Sequence, residues 1–525
     1  MILGSTNLYL FSMFCLASLT SQVSLPSSNY YIGAVVEYHP IIEGPNSTAI
    51  AEENSENFIK FLKTANEHQV DIIVFPENGL FSGEPFPPIF HRSFYLPHST
   101  YLPDHKEFKV LCRDVSSNVM EVVKSISCAA KQYAMYIVLN VHEKEKCLGD
   151  NCAEDGYNLY NTNIVFDRNG ALIAKYRKWN LFAEVGFNKT PKPELSSFRT
   201  DFGVTFGQFI CFDIFFGAPA LELVREKNIT DIIFSTHWFS HLPYLTANQI
   251  QAGWSYVNDV NFLGSGYNAP ATGNTGTGIY AGKYGHLARI WNEKAANALI
   301  VAKIPKVLNG QRMQPINQND TQIIYYSATE IPSVRRQILM SQQKLFSEDL
   351  SLFTSKLFRP INGALSSIVC HHDFCCNFTT DTLYHDDVNK GSNVKYYRYR
   401  YAVFNGTVSY PKLGIAGLEI CSIISCLDDN PKSCNQRFDI NANIVHPVTF
   451  NSIVLSSISR DSINIPHFPL SIDDQINPLN VNDFTFIRKK INETHVSLNY
   501  TLTKPYNNLM TFAIFGRNFV NDYFL

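Results

Sequence analysis

The sequence carries little charge for its length. Only 17% of its 525 residues are charged, the formal net charge is −3, and the isoelectric point is near 6.6. Nucleic-acid binding requires a basic patch or stripe, and this balance indicates none. The 45% of apolar residues exclude a disordered, highly charged chain. We therefore expect a globular protein of more than one packed unit, without nucleic acid as a partner.

Long apolar runs are also scarce. After the first residues, no stretch reaches the roughly 18 apolar residues of a membrane-spanning helix, so no transmembrane segment is predicted. Residues 1–21 combine an apolar run with small polar residues at its end, the pattern of a signal peptide. Arg517 and Asp522 interrupt the apolar C-terminal segment, which does not support a GPI-anchor signal. The prediction is a secreted, extracellular protein.

Asn-X-Ser/Thr triplets are frequent, and in a secreted chain such triplets accept N-linked glycans. They occur at Asn46, Asn188, Asn228, Asn319, Asn377, Asn405, Asn492 and Asn499. Because triplets of this kind also arise by chance in an Asn-rich sequence, we expect several of them to carry glycans.

The cysteine count is odd once the predicted signal peptide is removed. Cys15 is one of the 12 cysteines and lies in that peptide, so the rest cannot all be paired in an oxidising compartment. Ten are candidates for disulfides: Cys112, Cys128, Cys147, Cys152, Cys370, Cys375, Cys376, Cys421, Cys426 and Cys434. Cys211 ends a long apolar run far from any other cysteine and is the predicted free thiol. Spacing alone does not decide the connectivity.

Apolar strands alternate with amphipathic helices from about residue 30 to residue 310, which is typical of a layered α/β domain. The predicted strands are Tyr31–Tyr38, Asp71–Pro76, Tyr136–Asn140, Asn163–Phe166, Ala171–Tyr176, Val204–Cys211 and Asp231–Ser235. The predicted helices are Ala49–Gln69, Val115–Tyr133 and Pro219–Lys227. Residues 330–525 change to short strands and clustered cysteines, which predicts a second, β-rich domain.

Three reactive side chains follow predicted strands, at the position where α/β folds usually place catalysis. Glu77 stands in DIIVFPENGL, Lys178 in ALIAKYRKWNLF and Cys211 in FGQFICFDIFFGAP. We expect all three to project at one edge of the sheets.

These three residue types suit the hydrolysis of an amide. A thiol with a pKa near ~8.5 is a weak nucleophile at neutral pH, so Cys211 needs a base, and Glu77 suits that role. Attack of sulfur on a carbonyl forms an oxyanion, which Lys178 and the Phe212 backbone N–H are candidates to stabilise. Glu77 would then protonate the leaving amine, and water would hydrolyse the thioester.

Each residue also has a purely structural interpretation. A cysteine in an apolar strand is more often an inert core thiol, Glu77 could cap a helix, and Lys178 could be a solvated lysine. Each signal alone is weak. Their placement at three strand ends, together with the odd cysteine count, favours catalysis.

Three other patterns have simpler interpretations. Segment 370–376 (CHHDFCC) superficially resembles a metal cluster, but it lacks the C-x₂-C spacing typical of zinc, and disulfides are favoured. The glycines from Gly273 to Gly282 lack the context of a nucleotide loop and fit a substrate-side loop better. An aromatic-rich group fits a pocket lining or, more often, a core: Trp238, His241, Pro243 and Tyr244.

At the three reactive residues the sequence resembles the nitrilase superfamily of carbon–nitrogen hydrolases, within it the vanin and biotinidase branch, and there invertebrate vanin-like proteins. FPENGL, YRKWNLF and FICFDIFF carry this resemblance. The segments HLPYLTANQIQAGWSYVNDVNFL, TGTGIY, VCHHDFCC and EICSIISCLDDNPKSC extend it over nearly the whole chain after the predicted signal peptide.

The resemblance implies an αββα sandwich followed by a β-rich base domain. It implies Glu77 as proton acceptor, Lys178 as oxyanion stabiliser or proton donor, and Cys211 as nucleophile, with Glu184 as a possible supporting glutamate. The implied substrate is a small-molecule linear amide, with pantetheine cleaved to pantothenate and cysteamine, and no metal or organic cofactor is implied. Residues 264–268 read GSGYN where this branch usually carries a histidine, so the pocket is expected to differ.

Two alternatives stay open. Biotin amides are the substrates that a biotinidase-like enzyme would take. A secreted binding glycoprotein that keeps the fold without turnover is an alternative of another class. A binding protein has no need of all three strand-end residues, which favours the enzyme.

Overall fold

The computed structural model describes residues 24–82, 92–149, 152–313, 320–333, 344–385, 394–410, 413–439 and 441–524. The predicted signal peptide and Asn319 lie outside these residues. The described chain consists of an N-terminal region up to residue 333, which contains helices and strands, and a C-terminal region from residue 344, which consists mainly of strands.

The first sheet of the N-terminal region has seven strands. They are β1 (Tyr30–Glu37), β2 (Ile72–Val74), β3 (Tyr136–Lys146), β4 (Tyr157–Phe166), β5 (Leu172–Arg177), β13 (Asn297–Pro305) and β16 (Thr321–Tyr326). Their order is β16-β13-β1-β2-β3-β4-β5. β1, β2 and β3 are parallel neighbours, with Val35 opposite Val74 and Val74 opposite Val138. Their continuous apolar sequence fits strands that are buried on both faces.

The second sheet has six strands in the order β12-β11-β10-β8-β7-β6. They are β6 (Ser197–Arg199), β7 (Thr205–Ile210), β8 (Asp231–Thr236), β10 (Asn261–Gly266), β11 (Thr277–Ala281) and β12 (His286–Ile290). Smaller pairs are β14 (Val307–Leu308) with β15 (Gln311–Arg312), and β9 (His241–Leu242) with β17 (Phe346–Ser347).

The two sheets form the inner layers of a four-layer sandwich. Apolar side chains of both sheets, such as Val35 and Ile233, meet in one buried cluster between them. The helices are α1 (Ser47–Glu67), α2 (Arg92–Tyr95), α3 (Glu121–Tyr133), α4 (Glu222–Arg225) and α5 (Ala247–Asn258). The longer helices α1 and α3 cover the first sheet, and α5 covers the second. The predicted αββα arrangement is therefore confirmed.

The C-terminal region contains two antiparallel sheets packed on each other. The third sheet contains β18 (Thr354–Phe358), β21 (Arg398–Tyr410), β22 (Gly414–Cys426), β24 (His467–Asp473), β27 (Leu509–Arg517) and β28 (Tyr523–Phe524). The fourth contains β19 (Gly363–His371), β20 (Phe374–Tyr384), β23 (Val448–Arg460), β25 (Phe484–Lys490) and β26 (His495–Leu502). Tyr500 and Phe512 stack across their interface, with ring centroids 3.8 Å apart. The predicted β-rich character is confirmed.

The two regions share one hydrophobic core. Phe215 and Trp254 of the N-terminal region lie in the same buried cluster as Phe404 and Phe515 of the C-terminal region. A Cβ atom at Gly253 of α5 would lie 2.5 Å from Leu470 of β24, so the absence of a side chain permits this close approach. The third sheet therefore forms part of the support for the second.

Some elements differ from their predicted bounds. The helix predicted from Val115 begins only at Glu121. The helix predicted over Pro219–Lys227 is a π-helical turn followed by the short helix α4. β3 and β4 are longer than predicted, because buried asparagines on them hydrogen-bond one another and so satisfy the polar groups that a core strand would otherwise exclude.

Candidate active site

Glu77, Lys178 and Cys211 follow strand ends as predicted, and the fold brings them into one buried cluster. Lys178 comes directly after β5 and Cys211 directly after β7, while Glu77 lies three residues beyond β2. The Lys178 ammonium donates to Glu77 Oε1 at 2.7 Å. The Cys211 thiol lies close enough to the Glu77 carboxylate for each group to shift the pKa of the other. One carboxylate therefore interacts with both the ammonium and the thiol.

Glu184 completes a second ion pair in this cluster. Its Oε2 lies 2.8 Å from Lys178 Nζ and accepts a hydrogen bond from the Phe182 backbone N–H at 3.0 Å. The Lys178 side chain is 1% exposed, and it lies between the two glutamates. The predicted supporting glutamate is thus in direct contact with Lys178.

Burial and the neighbouring charges shift the pKa values of the three charged residues in this cluster. Burial, the largest single influence, raises the pKa of Glu77, but Lys178, His237 and Cys211 together bring this pKa below its ordinary value of 4.5. Burial lowers the pKa of Lys178, yet Glu184 and Glu77 raise it well above its ordinary range. The Glu184 pKa is raised, mainly by burial and despite Lys178. At neutral pH Glu77 is therefore an ionised acceptor beside a protonated lysine.

The Cys211 thiol has the opposite character. Burial, reinforced by the negative charge of Glu77, raises its pKa well above the usual value, although Lys178 lowers it. The resting side chain is consequently a neutral thiol at neutral pH. Because the ionised Glu77 lies near this thiol, a proton acceptor is available when sulfur attacks a carbonyl.

The backbone at Cys211 forms a tight elbow between a strand and a helical turn. Its φ of +47° lies in the left-handed region, which residues with a side chain rarely adopt. Asp213 supports this elbow from inside, because its carboxylate accepts from the Ile210 backbone N–H at 3.1 Å and from the Tyr176 hydroxyl at 2.7 Å. Burial raises the pKa of Asp213 to about 6.

The C-terminal region reaches the same elbow through one buried arginine. Arg517 Nε donates to the Phe215 carbonyl at 3.0 Å, and its guanidinium lies 4.1 Å from the centre of the Phe215 ring. Its Nη2 pairs with Asp522 at 2.7 Å. Phe215 stands four residues after the nucleophile candidate, so Arg517 ties β27 to the helical turn that Cys211 begins.

Sequence reasoning missed two residues that contact Glu77. Asn161 on β4 donates to Glu77 Oε1 at 2.7 Å, and the His237 backbone N–H donates to Glu77 Oε2 at 2.8 Å. The His237 ring stacks on Tyr267 with centroids 3.8 Å apart. Burial lowers the pKa of His237 to about 4, so the imidazole is neutral at neutral pH. Tyr267 lies in the segment where the resemblance led us to expect a different pocket.

Ten cysteines pair as Cys112–Cys128, Cys147–Cys152, Cys370–Cys375, Cys376–Cys421 and Cys426–Cys434. Cys211 is free and buried. Among the described residues, no group of three or more His, Cys, Asp or Glu side chains is arranged to hold a metal ion.

The glycine-rich segment and the aromatic-rich group lie largely in the protein interior. The expected substrate-side glycine loop includes the buried strand β11. Trp238 and Tyr244 belong to the shared core, and the Tyr244 hydroxyl bonds Ser422 at 2.8 Å. His241 belongs to β9 and pairs with Phe346 of β17, and Pro243 directly follows β9. The core interpretation of this aromatic group therefore holds for Trp238 and Tyr244.

Each described asparagine of an Asn-X-Ser/Thr triplet is at least partly exposed to solvent. Asn46, Asn228, Asn377 and Asn492 are exposed, and Asn188, Asn405 and Asn499 are partly exposed. Glycosylation stays a prediction. In the part of the chain that the structure describes, no helix has the length and apolar character needed to cross a membrane.

Comparison with known proteins agrees with this geometry. The family model described as carbon-nitrogen hydrolase matches residues 34–256, and the model of the vanin C-terminal domain matches residues 343–522. The fold and the matched domain are those of a carbon–nitrogen hydrolase, an amidohydrolase.

Relatives define the branch. Vanin-like protein 2 of Drosophila melanogaster is 33% identical over 98% of this chain and 95% of its own length. The pantetheinase of Mus musculus is 28% identical over 82% of this chain and 79% of its own length. The biotinidase of Mus musculus is 33% identical over 48% of this chain and 50% of its own length. The chain belongs to the vanin/biotinidase branch of the nitrilase superfamily.

Proposed function

We propose that the chain is a secreted amidohydrolase that cleaves pantetheine to pantothenate and cysteamine through a thioester on Cys211. The observation that carries this proposal is the Glu77 carboxylate, which contacts Lys178 at 2.7 Å and interacts electrostatically with the Cys211 thiol in a buried cluster. The relatives named pantetheinase support the choice of substrate.

The reaction begins with attack on the amide carbonyl. Cys211 Sγ forms a bond to the carbonyl carbon while its proton moves to Glu77. Glu77 can accept this proton because it is ionised at neutral pH: Lys178 and the other neighbouring groups keep its pKa below the ordinary value despite burial. The apolar surroundings of Cys211 keep the attacking sulfur poorly solvated.

Negative charge then develops on the carbonyl oxygen. An ammonium group has three N–H donors, and Glu77 and Glu184 each take one from Lys178. The third is assigned to the oxyanion, together with the Phe212 backbone N–H at the start of the helical turn. Protonated Glu77 gives its proton to the amine nitrogen, the carbon–nitrogen bond breaks, and the thioester remains.

Water completes the cycle. Glu77, now ionised again, takes a proton from water, and the hydroxide attacks the thioester carbonyl. The carbon–sulfur bond breaks, the acid product leaves, and Cys211 recovers its proton from Glu77. The original thiol proton leaves on the amine and a proton from water replaces it, so the enzyme regains its starting protonation state and the net reaction consumes one water molecule.

Secretion and the domain division belong to the same proposal. Five disulfides suit an oxidising compartment. Residues 1–21 are proposed as the signal peptide, residues 30–310 as the catalytic domain and residues 330–525 as the base domain. The two matched family models, at 34–256 and 343–522, support this division.

A substrate panel tests the proposal. The purified chain is incubated with pantetheine, biocytin and simple acyl amides, and free amine is measured. We expect cysteamine release from pantetheine and none from the variant Cys211→Ala. Turnover of biocytin without pantetheine cleavage would favour the biotinidase alternative, and no turnover of any amide would favour the binding glycoprotein.

A further inference from the structure

Asn161 lies beneath both carboxylates of the cluster. Its side chain is almost fully buried in β4, and its Nδ2 donates to Glu77 Oε1 and to Glu184 Oε1, each at 2.7 Å. These are the two glutamates that share the Lys178 ammonium. One amide group and one ammonium group therefore connect the same pair of carboxylates.

The Asn161 amide has only one compatible orientation. Asn140 Nδ2 donates to Asn161 Oδ1 at 2.8 Å and to Asn163 Oδ1 at 3.1 Å. Asn140 Oδ1 in turn accepts from the backbone N–H of Asn78, the residue after Glu77, at 2.9 Å. A reversed Asn161 amide would place its oxygen against two carboxylate oxygens. The asparagine network therefore directs the Asn161 NH₂ group at the glutamates.

We propose that Asn161 is a positioning residue for the hydrolysis: its NH₂ group holds Glu77 and Glu184 on either side of Lys178 and keeps Glu77 directed at Cys211. The inference rests on the proposed role of Glu77 as the proton acceptor. It adds a residue that acts through Glu77 and contributes no atom to the reacting groups.

The charges in the cluster explain why such a residue is needed. Two carboxylates share one ammonium, so the second negative charge has no cation of its own. Two neutral N–H donors stabilise the ionised form of each carboxylate without adding a titratable group. The titratable groups that face this cluster are Glu77, Lys178, Glu184, Cys211, His237, Tyr95 and, beside Lys178, Asp213. Removal of the donors should therefore make Glu77 take up a proton at higher pH.

The test compares Asn161→Leu, which removes both donors, with Thr162→Val as the matched control. Thr162 is the next residue of β4, equally buried, and its hydroxyl donates to Glu143 at 2.9 Å on the other side of the strand. The rate of Cys211 alkylation by iodoacetamide is measured from pH 3 to 8, and kcat/KM for the best amide of the panel over the same range. Alkylation needs no substrate.

We expect the acid limb of both profiles to move up by about one pH unit in Asn161→Leu, the size expected when a carboxylate loses a charge-assisted hydrogen bond. In the lower part of the range this is roughly a tenfold loss of rate. Thr162→Val should keep the wild-type midpoint. A merely structural role would reduce thermal stability and leave the midpoint where it is.

A second variant, Asn161→Ser, allows the test if Asn161→Leu does not fold. Serine has a smaller side chain and keeps one donor, so we expect the midpoint to shift in the same direction by a smaller amount. In a Glu77→Gln background the low-pH inflection and its dependence on residue 161 should both disappear. An unshifted midpoint in a folded Asn161 variant overturns the inference. Failure of the wild type to turn over any amide would instead count against the proposed function, while the alkylation midpoints still decide the role of Asn161.

Discussion

The two halves of the site are built differently. On the first sheet, Glu77, Lys178 and Glu184 are held by ion pairs and hydrogen bonds of 2.7–2.8 Å. On the second sheet, Cys211 lies among apolar side chains and depends on a left-handed backbone conformation. The acid–base half is thus determined by electrostatics, and the nucleophile half by backbone geometry.

The difference extends to the regions that support each half. The contacts of the acid–base half come from β4, from the segments after β2 and β5, and from the backbone after β8, all in the N-terminal region. The nucleophile half is supported by Asp213 from below and by Arg517 from the C-terminal region. Changes in the C-terminal region should therefore affect the thiol more than the carboxylates.

Among substitutions that keep Cys211, the largest effect is expected from Lys178→Met. Two buried carboxylates lose the ammonium that they share and the oxyanion loses a donor, so kcat/KM should fall by about a thousandfold. Breaking the buried ion pairs should destabilise the fold by about 3–5 kcal/mol near neutral pH. Enzyme assays and chemical denaturation measure both effects.

Lys175→Met is the control for this change. Lys175 pairs with Glu143 at 2.7 Å, but Arg177 pairs with the same carboxylate at 2.7 Å and remains. This variant should keep nearly all of its activity. Comparable losses in the two variants would show that the Lys178 effect is not specific to the site.

Asp213→Asn should damage the nucleophile half alone. Both Asp213 oxygens accept hydrogen bonds, one from the Ile210 backbone N–H and the other from the Asn180 backbone and side-chain N–H groups. In either orientation the new amide NH₂ faces one of these donors, so a hydrogen bond is lost and the elbow shifts. We expect kcat to fall between about tenfold and a hundredfold, since small misplacements of reacting atoms have effects of this size. The Glu77-dependent acid limb of the pH profile should stay in place. A shifted limb would mean that the two halves are coupled.

The same variant tests the pH dependence of stability. The folded pKa of Asp213 is raised to about 6 by burial, above its ordinary value of 3.8. The folded state therefore binds the proton more tightly, and this group's contribution to stability decreases as the pH rises from about 4 to 6. Wild-type minus variant unfolding free energies should show this fall. A difference that is flat across this range contradicts it.

Arg517→Met tests the support from the C-terminal region. Loss of its hydrogen bonds to the carbonyls of Phe215 and Gly417 should destabilise the chain by at least about 2 kcal/mol. Activity at temperatures where the variant stays folded should fall by less than about tenfold. Arg437→Met is the control, because Arg437 joins the C-terminal region to Glu293 of the N-terminal region, away from the elbow. Equal activity losses in both would argue against a specific role of Arg517.

The smallest effect is expected from His237→Phe. The imidazole has a pKa of about 4 because of its burial, so it stays neutral and does not titrate between pH 6 and 8. The ring of phenylalanine can keep the stacking on Tyr267, and the backbone N–H to Glu77 is unchanged. We expect the pH profile to be the same over this range, with a modest change in KM. A lost inflection near neutral pH would make His237 a catalytic base.

The sequence predicts those parts of the site that local patterns reveal. Glu77, Lys178 and Cys211 each follow an apolar strand, so the sequence pattern alone identifies them as strand-end residues. Glu184 follows Lys178 through an irregular segment, where spacing does not predict contact. Asn161 was missed because alternating polar residues in β4 obscure a buried strand. Arg517 lies 302 residues from its partner Phe215, so no local pattern can connect them.

The central claim is that Cys211 carries the acyl group while Glu77 moves its proton. Its most direct test is acid quenching of the wild type during pantetheine turnover, followed by mass spectrometry of the peptide that contains Cys211. We predict a mass increase of one pantothenoyl group on that peptide, and neither adduct nor cysteamine from Cys211→Ala. Cysteamine release by folded Cys211→Ala at the wild-type rate, without any adduct, would contradict it.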